Sequence, residues 1–213
     1  MKLRTMLPLV FLSTVLFVRC GTNGTSPVPP DDNTGVSVLV DVGHGGRDQG
    51  VRTVTTGQTE ADLTVTLGGA LTRKLSEGGI PTIADRMDNQ FVSLDTRIDL
   101  ARKVKPGLVV SLHMDMSSDT AARGFAVWYQ KGRDDSQRLA RHIQRELGLL
   151  TFTKDNGIRE GSFRILRENE APSVYVCFAN LSNEDDATMV TESGNQREIV
   201  VALTKAIAAY RGS

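Results

Sequence analysis

The sequence predicts an α/β domain in which a twisted, mostly parallel sheet carries helices on both faces. Apolar, β-branched runs alternate with amphipathic helical stretches along the chain. The apolar runs show little polar alternation, as expected for strands that are buried on both faces. A chain of 213 residues, 39% of them hydrophobic, has room for one such domain and a short appendage.

The elements are predicted in chain order from their local patterns. The β-branched run at 36–41 stops at glycines and predicts a strand. Within 60–77 a leucine recurs every four residues and a Gly-Gly pair follows, which predicts a helix. Ser93 is the predicted N-cap of a second helix. Further strands are predicted at 80–84, 108–113, 124–130 and 173–178, and further helices at 94–104, 134–148 and 195–210.

The N-terminal residues have the pattern of an export signal. In residues 1–19, Lys2 and Arg4 precede an apolar run that is too short for a membrane-spanning helix. Cys20 follows at once, and "LFVRC" resembles the lipobox of bacterial lipoproteins, which predicts lipidation of Cys20. The alternative is a stray cysteine behind an ordinary signal peptide, since the lipobox prefers a small residue where Arg19 stands. Residues 20–35 are rich in proline, glycine and small polar residues and predict a flexible linker to a single domain at 36–213.

Charge and cysteine content narrow the function classes. The chain has 25 basic and 25 acidic residues, and nothing in the sequence suggests the clustered basic face that nucleic-acid binding needs, so no nucleic-acid partner is expected. Export implies an oxidising compartment. Cys177 is the only cysteine besides Cys20, so we expect no internal disulfide and a lone thiol at Cys177.

Three side chains with metal-binding chemistry flank the predicted strands. His44 follows the first strand in "DVGHGG", His113 ends the strand "LVVSLH", and Glu60 begins the first long helix. The carboxyl ends of parallel strands share one edge of a sheet, so these side chains can meet there. Two imidazoles and a carboxylate with an open fourth position form a known set for a catalytic zinc. Taken singly, each also fits an ordinary role: a loop histidine, a strand-end histidine, and a carboxylate at a helix N-terminus.

Four motifs in one order resemble the zinc-dependent N-acetylmuramoyl-L-alanine amidases, which cut the amide bond between glycan and stem peptide in peptidoglycan. "VLVDVGHGGRDQGV" is similar to the family's opening "DPGHGGxDxGA", and "TEADLTVTLGGALTRKL" to "EKDxxLxxAxxLxxxL". "FVSLDTRIDLARKVKPGLVVSLHMD" is similar to "FVxLxxRxxxANxxxADLFISIHxN", and "SFRILRENEAPSVYVCFANLSNEDD" to "xFxVLRxxxxPAVLVELGFLSNxxD". The resemblance implies Zn²⁺ as cofactor, with His44, Glu60 and His113 as its ligands. The short connection from His113 to Gly124 also implies an open site, without the inserted helix that blocks the zinc in some cell-division amidases.

The resemblance also places Cys177 at the catalytic position where the family carries its acid/base glutamate. Several roles remain open for this residue. It could be a small buried hydrophobe in a site with slow hydrolysis or mere wall binding, or a fourth zinc ligand. A nearby carboxylate could substitute for the glutamate, and the sequence offers Asp115, Glu168, Glu170 and Glu184. A cysteine nucleophile is disfavoured because His44 and His113 are assigned to the metal, and His142 is expected on an exposed, charged helix surface.

The function that these observations predict is zinc-dependent hydrolysis of the amide between N-acetylmuramic acid and L-alanine, in cell wall turnover. The expected location is the bacterial cell envelope, in the periplasm or on the outer membrane as a lipoprotein. The expected partners are peptidoglycan and, through a lipid anchor, the membrane, and the chain is expected to be a monomer. The alternative function is that of a catalytically impaired peptidoglycan-binding lipoprotein on the same fold.

Overall fold

The computed structural model describes residues 35–213, so the predicted signal peptide, Cys20 and nearly all of the predicted linker lie outside the described residues. Within residues 35–213 the chain forms six strands and six helices. The strands are β1 (Val38–Val42), β2 (Thr82–Ala84), β3 (Leu108–Asp115), β4 (Phe125–Tyr129), β5 (Asp155–Glu160) and β6 (Ser173–Asn180). The helices are α1 (Glu60–Glu77), α2 (Leu94–Val104), α3 (Asp134–Leu147), α4 (Arg164–Arg167), α5 (Glu184–Thr191) and α6 (Ser193–Arg211).

The six strands form one sheet in the order β2-β1-β3-β6-β4-β5. Strands β2, β1, β3 and β6 are parallel to one another, β4 runs antiparallel to β6, and β5 is parallel to β4. The predicted fold class, an α/β domain with a mostly parallel sheet, is confirmed. Because β1, β3 and β6 lie side by side and point the same way, their carboxyl ends share one edge of the sheet.

The larger hydrophobic core lies between one face of the sheet and helices α1, α3, α5 and α6. The four leucines that predict α1 all face this core and are fully buried: Leu63, Leu67, Leu71 and Leu75. Their four-residue spacing places them on one side of the helix. The four regularly spaced leucines therefore determine which side of α1 packs against the sheet.

The opposite face of the sheet is covered by α2 and α4. Ala101 of α2 packs against Leu39 and Val109 of the sheet, and Ile98 packs against Ile165 and Leu166 of α4. Helices therefore lie on both faces, as predicted. None of the helices within residues 35–213 combines the length and apolar character needed to span a bilayer.

Alternation along β3 separates the core from the polar face of the sheet. Val110 and Leu112 belong to the larger core, so Ser111 and His113 point to the α2 side. Strand β6 follows the same alternation, with Tyr175 paired to Ser111 and Cys177 paired to His113 in the register. The candidate site residues of β3 and β6 thus share one face near the carboxyl edge.

Candidate metal centre

His44, Glu60 and His113 converge at the carboxyl edge of the sheet. His44 Nε2 lies 3.1 Å from Glu60 Oε2, and His113 Nδ1 lies 3.0 Å from Glu60 Oε1. One potential ligand atom from each residue lies within 4.8 Å of the others. In the part of the chain that the structure describes, no other group of three or more His, Cys, Asp or Glu side chains has this spacing.

Glu60 is held at the first turn of α1 by the backbone of two other segments. The Met114 amide donates to Oε1 at 2.8 Å, and the Val51 amide donates to Oε2 at 3.2 Å. Burial raises the pKa of this carboxyl, but its hydrogen bonds to His113 and His44, and the charges of those imidazoles, outweigh burial and lower the pKa well below its usual range. The carboxylate is therefore ionised although it is only 2% exposed.

His44 lies in the loop that follows β1, in the left-handed region at φ 61°. Its Nδ1 donates to Asp48 Oδ1 at 2.8 Å, so Nε2 is the nitrogen that faces Glu60. Burial lowers the pKa of the imidazole, but the hydrogen bonds and charges of Glu60 and Asp48 give a net rise. A carboxylate on the second nitrogen of a ligating histidine fixes its tautomer and ring direction, as in many metal sites.

The His113 ring is fixed by packing. It stacks on Tyr175 with ring centroids 4.0 Å apart, and Tyr175 stacks in turn on Phe163 at 4.3 Å. Phe163 meets the ring of Trp128 edge-on at 5.6 Å. These four side chains, His113, Tyr175, Phe163 and Trp128, form a row of rings across the α2 face of the sheet, and we call it the aromatic row.

The donor set fits a zinc ion. Two imidazole nitrogens and one carboxylate oxygen, supplied by a loop, a helix and a strand, are the ligands of an open catalytic zinc site. The buried, ionised Glu60 would offset part of the charge of the ion, and neutral imidazoles would supply the remaining ligand atoms. Zinc in such a site supplies a Lewis acid for a carbonyl and lowers the pKa of water.

Cys177 lies on β6 opposite His113 and, on the other side, opposite Ala126 of β4. It is 7% exposed. Burial raises the pKa of its thiol, and the negative charges of Asp115 and Glu60 raise it further. The thiol is therefore neutral in the metal-free protein, and its sulfur is not among the three converging ligand atoms.

The structure places the four carboxylates that the sequence offered as substitutes for the glutamate expected at position 177 in different surroundings. Asp115 lines a cleft of about 450 Å³ together with Cys177. Glu168 is bound by Arg164 at 2.6 Å, Glu170 lines a separate cavity beside the end of α2, and Glu184 lies exposed at the start of α5. Asp115 is thus the one of the four that shares a cleft with Cys177.

His142 is not brought to this site. It lies on α3, half-buried, with its ring edge-on to Tyr210 at 5.8 Å between centroids. The expectation of an exposed position is therefore wrong, because α3 turns this residue toward α6. Burial lowers the pKa of its imidazole, and the nearby arginines Arg145 and Arg138 lower it further.

A second cleft, of about 320 Å³, opens directly over the histidines. His44 and His113 line this cleft, and most of its remaining wall is apolar side chains: Phe91, Val92, Leu94, Phe163, Ile165 and Tyr175. Phe91 and Leu94 are each 40% exposed. Polar metal ligands beside an exposed apolar wall are typical of a site that takes an organic substrate.

Sequence reasoning missed two residues of this site. Asp48 lies within the first motif, four residues after His44, and this short spacing is the signal for its role. Arg97, which lines the cleft over the histidines, is the arginine of "FVSLDTR" in the third motif. Neither residue type points to a role on its own, because both are common on protein surfaces.

The fold and the site define an α/β protein with a candidate metal centre of two histidines and a glutamate at the carboxyl edge of a mostly parallel sheet. Its sequence matches the family described as N-acetylmuramoyl-L-alanine amidase over residues 38–209. The chain belongs to this family.

Individual relatives agree with this assignment. The chain is 31% identical over 178 residues to the uncharacterized protein YqiI of Bacillus subtilis, covering 83% of this chain and 85% of YqiI. It is 26% identical over 161 residues to the N-acetylmuramoyl-L-alanine amidase LytC of the same organism, covering 75% of this chain but only 32% of LytC. Among solved structures, an N-acetylmuramoyl-L-alanine amidase from Clostridium difficile 630 superposes with a TM-score of 0.80 at 27% identity, covering 84% of this chain and 98% of that one.

Proposed function

We propose that this protein is a zinc-dependent N-acetylmuramoyl-L-alanine amidase, which hydrolyses the amide bond between N-acetylmuramic acid and L-alanine in peptidoglycan during cell wall turnover. Family membership supports hydrolysis of peptidoglycan. The observation that carries metal dependence is the convergence of His44, Glu60 and His113 within 4.8 Å. The cleft over the histidines gives the substrate access to this point.

Each residue of the proposed centre has a separate task. His44 and His113 would hold Zn²⁺ through neutral nitrogens and Glu60 through its carboxylate, and the bound ion would polarise the scissile carbonyl and activate water. Asp48 keeps the proton of His44 on Nδ1, which leaves Nε2 free to ligate. Tyr175 keeps the ring of His113 in its plane by stacking.

Cys177 is the proposed residue at the acid/base position of this centre. A neutral thiol is a poorer proton acceptor than the carboxylate that the family pattern carries there. General acid and base groups contribute about 100- to 10,000-fold to a rate. We therefore expect wild-type hydrolysis to be slow, with Asp115 as the nearest alternative carboxylate in the cleft that it shares with Cys177.

The proposal is tested on the purified protein by measuring zinc content and the release of stem peptides from peptidoglycan. The wild type should bind about one zinc and release stem peptides slowly, and a chelator should abolish the release. Cys177→Glu should raise the rate by about 100-fold or more, because it restores a carboxylate. Cys177→Ala is the matched control: it removes the thiol without adding a carboxylate and should keep the wild-type rate.

Two outcomes contradict the proposal in different ways. If both the wild type and Cys177→Glu bind zinc but neither releases stem peptides, the amidase function is rejected and a wall-binding role is left. Absence of zinc from both proteins after incubation with the metal would reject the metal centre itself.

We further propose that residues 1–19 direct export and that a lipid on Cys20 anchors the domain in the cell envelope. The pattern of the N-terminal sequence supports this. Relatives named probable cell wall amidase LytH, one of them from Staphylococcus aureus at 27% identity, support action outside the cytoplasm. Mass spectrometry of the mature N-terminal peptide checks the anchor, and an unmodified Cys20 would contradict it.

A further inference from the structure

Arg97 reaches from α2 to the backbone of the His44 loop. Its Nη2 donates to the His44 carbonyl oxygen at 2.7 Å, and its Nη1 donates to the Val42 carbonyl oxygen at 2.5 Å. Its Nε donates to the Val92 carbonyl oxygen at 3.0 Å. All three nitrogens of the guanidinium are therefore engaged, and the side chain is 6% exposed.

Two buried aspartate side chains fix this guanidinium in place. Asp41 Oδ1 accepts from Nη1 of Arg97 at 2.9 Å, and Asp85 Oδ2 accepts from the same nitrogen at 2.5 Å. Both aspartate side chains are held in turn: Asp41 Oδ2 accepts from the Ser111 hydroxyl, and Asp85 Oδ1 accepts from the Val42 amide at 2.9 Å. Charge-assisted hydrogen bonds to buried partners leave Arg97 a single geometry.

The backbone of His44 needs such an external support. Its φ of 61° lies in the left-handed region, which is sterically disfavoured for a residue with a Cβ. The next two residues, Gly45 and Gly46, also have positive φ but carry no such penalty. The direction of the imidazole, and hence the 3.1 Å approach of Nε2 to Glu60, depends on keeping this conformation.

A second buried arginine, Arg86, also binds the backbone of this loop, but its contacts are with the residues before His44. Arg86 donates to the Val42 carbonyl oxygen at 2.8 Å and to the Gly43 carbonyl oxygen at 2.6 Å. The carbonyl of His44 itself is bound by Arg97. Of the two arginines, Arg97 is thus the one that contacts the backbone of the candidate metal ligand His44 itself.

We propose that Arg97 is a positioning residue of the metal centre, which holds His44 in its left-handed conformation through the His44 carbonyl oxygen and so aims its imidazole at Glu60. Arg97 acts through His44 and supplies no ligand atom. The inference rests on the proposed metal centre and adds a determinant of its affinity and geometry from a helix that carries no ligand.

The test uses the full chain as wild type, Arg97→Lys and Arg97→Gln, with Arg102→Gln as the matched control. Arg102 lies on the same helix but is exposed, and among the described residues it pairs only with Asp99 and Glu168. Lysine keeps the positive charge between Asp41 and Asp85, yet its single nitrogen cannot also reach the His44 carbonyl. The zinc Kd is measured by competition with a chelator, and the visible absorption spectrum of the Co²⁺-loaded protein reports the ligand geometry.

Both Arg97 variants should bind zinc about 10- to 100-fold more weakly than wild type, as is usual when a residue that orients a metal ligand is removed. Their Co²⁺ spectra should change, while Arg102→Gln should match wild type in both measurements. Folded Arg97 variants with wild-type zinc Kd and Co²⁺ spectra would overturn the inference. Failure of both variants to fold would also overturn it, since Arg97 would then determine folding and not ligand geometry.

The same measurements separate this inference from the proposed function. A wild type that binds no zinc overturns both. A wild type that binds zinc and releases stem peptides, together with folded Arg97 variants of unchanged zinc affinity, overturns the positioning role alone.

Discussion

Gly43 shows how closely single residues are fitted around the candidate metal centre. It lies between β1 and His44, close to the ring of His113. A Cβ at this position would overlap His113 Cε1 and would lie 2.6 Å from both His113 Nε2 and the Leu112 carbonyl oxygen. The absence of a side chain at Gly43 is therefore what lets β1 and the His113 ring lie side by side.

We accordingly expect Gly43→Ala to displace the His113 ring. Overpacking of this kind costs about 1–3 kcal/mol of the free energy of unfolding, and the zinc affinity should fall with it. Urea unfolding and chelator competition measure the two effects. Gly69→Ala in α1 is the matched control, because its Cβ would meet no atom closer than 3.5 Å. Equal behaviour of the two variants would contradict the expectation.

At the scale of an element, α1 serves the core and the site together. Its leucines fill the core while its first residue, Glu60, supplies a candidate ligand. The start of the helix is fixed by a capping box: the Asp62 amide donates to Thr59 Oγ1 at 3.1 Å, and the Thr59 amide donates to Asp62 Oδ2 at 3.3 Å. The cap thus sets where the helix begins and, with it, where Glu60 stands.

Thr59→Ala should therefore lower the free energy of unfolding by about 1 kcal/mol, the usual cost of losing an N-cap side chain. Thr66→Ala in the same helix is the control, since the Thr66 side chain is exposed and, within residues 35–213, donates a hydrogen bond only to the Asp62 carbonyl oxygen. Alanine favours helix interiors, so this control should be neutral or slightly stabilising. Urea denaturation of both variants measures the difference, and a loss as large in Thr66→Ala would refute the capping argument.

The elements with strong periodicity were predicted from the sequence, and those without it were not. The leucine stripe and the apolar runs gave α1, β1 and β3 to within two residues or so. Strand β5 (Asp155–Glu160) was missed because this edge strand has one apolar side chain, Ile158, and no alternation. The four-residue α4 and the acidic start of α5 give no periodic signal either.

In the candidate site, too, some features could be predicted from the sequence and others could not. The three candidate ligands follow from residue type and position after strands, but the contacts that hold them depend on tertiary packing. The stacking of Tyr175 on His113 requires the pairing of β3 with β6. The reversed direction of β4 could not be read from its sequence, because an apolar strand looks the same in either orientation.

At the scale of the whole molecule, the centre joins the loop after β1, the start of α1 and the end of β3 through three side chains. A ligand that binds only the folded state stabilises it by an amount that grows with the logarithm of its affinity. Zinc loading should therefore raise the stability of the entire domain and not of one loop, and protons should compete with zinc for the same nitrogens.

The pH dependence of this stabilisation has a definite sign. In the metal-free protein the pKa of His44 is raised by Glu60 and Asp48 against the opposing effect of burial. The stability that Glu60 and Asp48 contribute by interacting with protonated His44 is fully present below pH 6.5, the pKa of histidine in the unfolded chain. It is lost as the pH rises through the pKa of His44 in the folded protein. The rise in Tm on adding zinc should accordingly be larger at pH 8 than at pH 6.

Thermal unfolding with zinc or with chelator at the two pH values measures this difference. His44→Ala should remove most of the zinc-induced rise at both. A rise that is equal at pH 6 and pH 8, or larger at pH 6, would contradict the competition between protons and zinc at His44.

The aromatic row includes a tryptophan that can serve as an intrinsic fluorescent probe. Trp128 is the only tryptophan of the chain, and it stands at the end of the row that begins at His113. Arg159 lies over its indole at 5.4 Å. We expect a movement of the Tyr175 ring to be passed through Phe163 to the surroundings of this one indole, so that its fluorescence emission should report events in the cleft over the histidines without any added label.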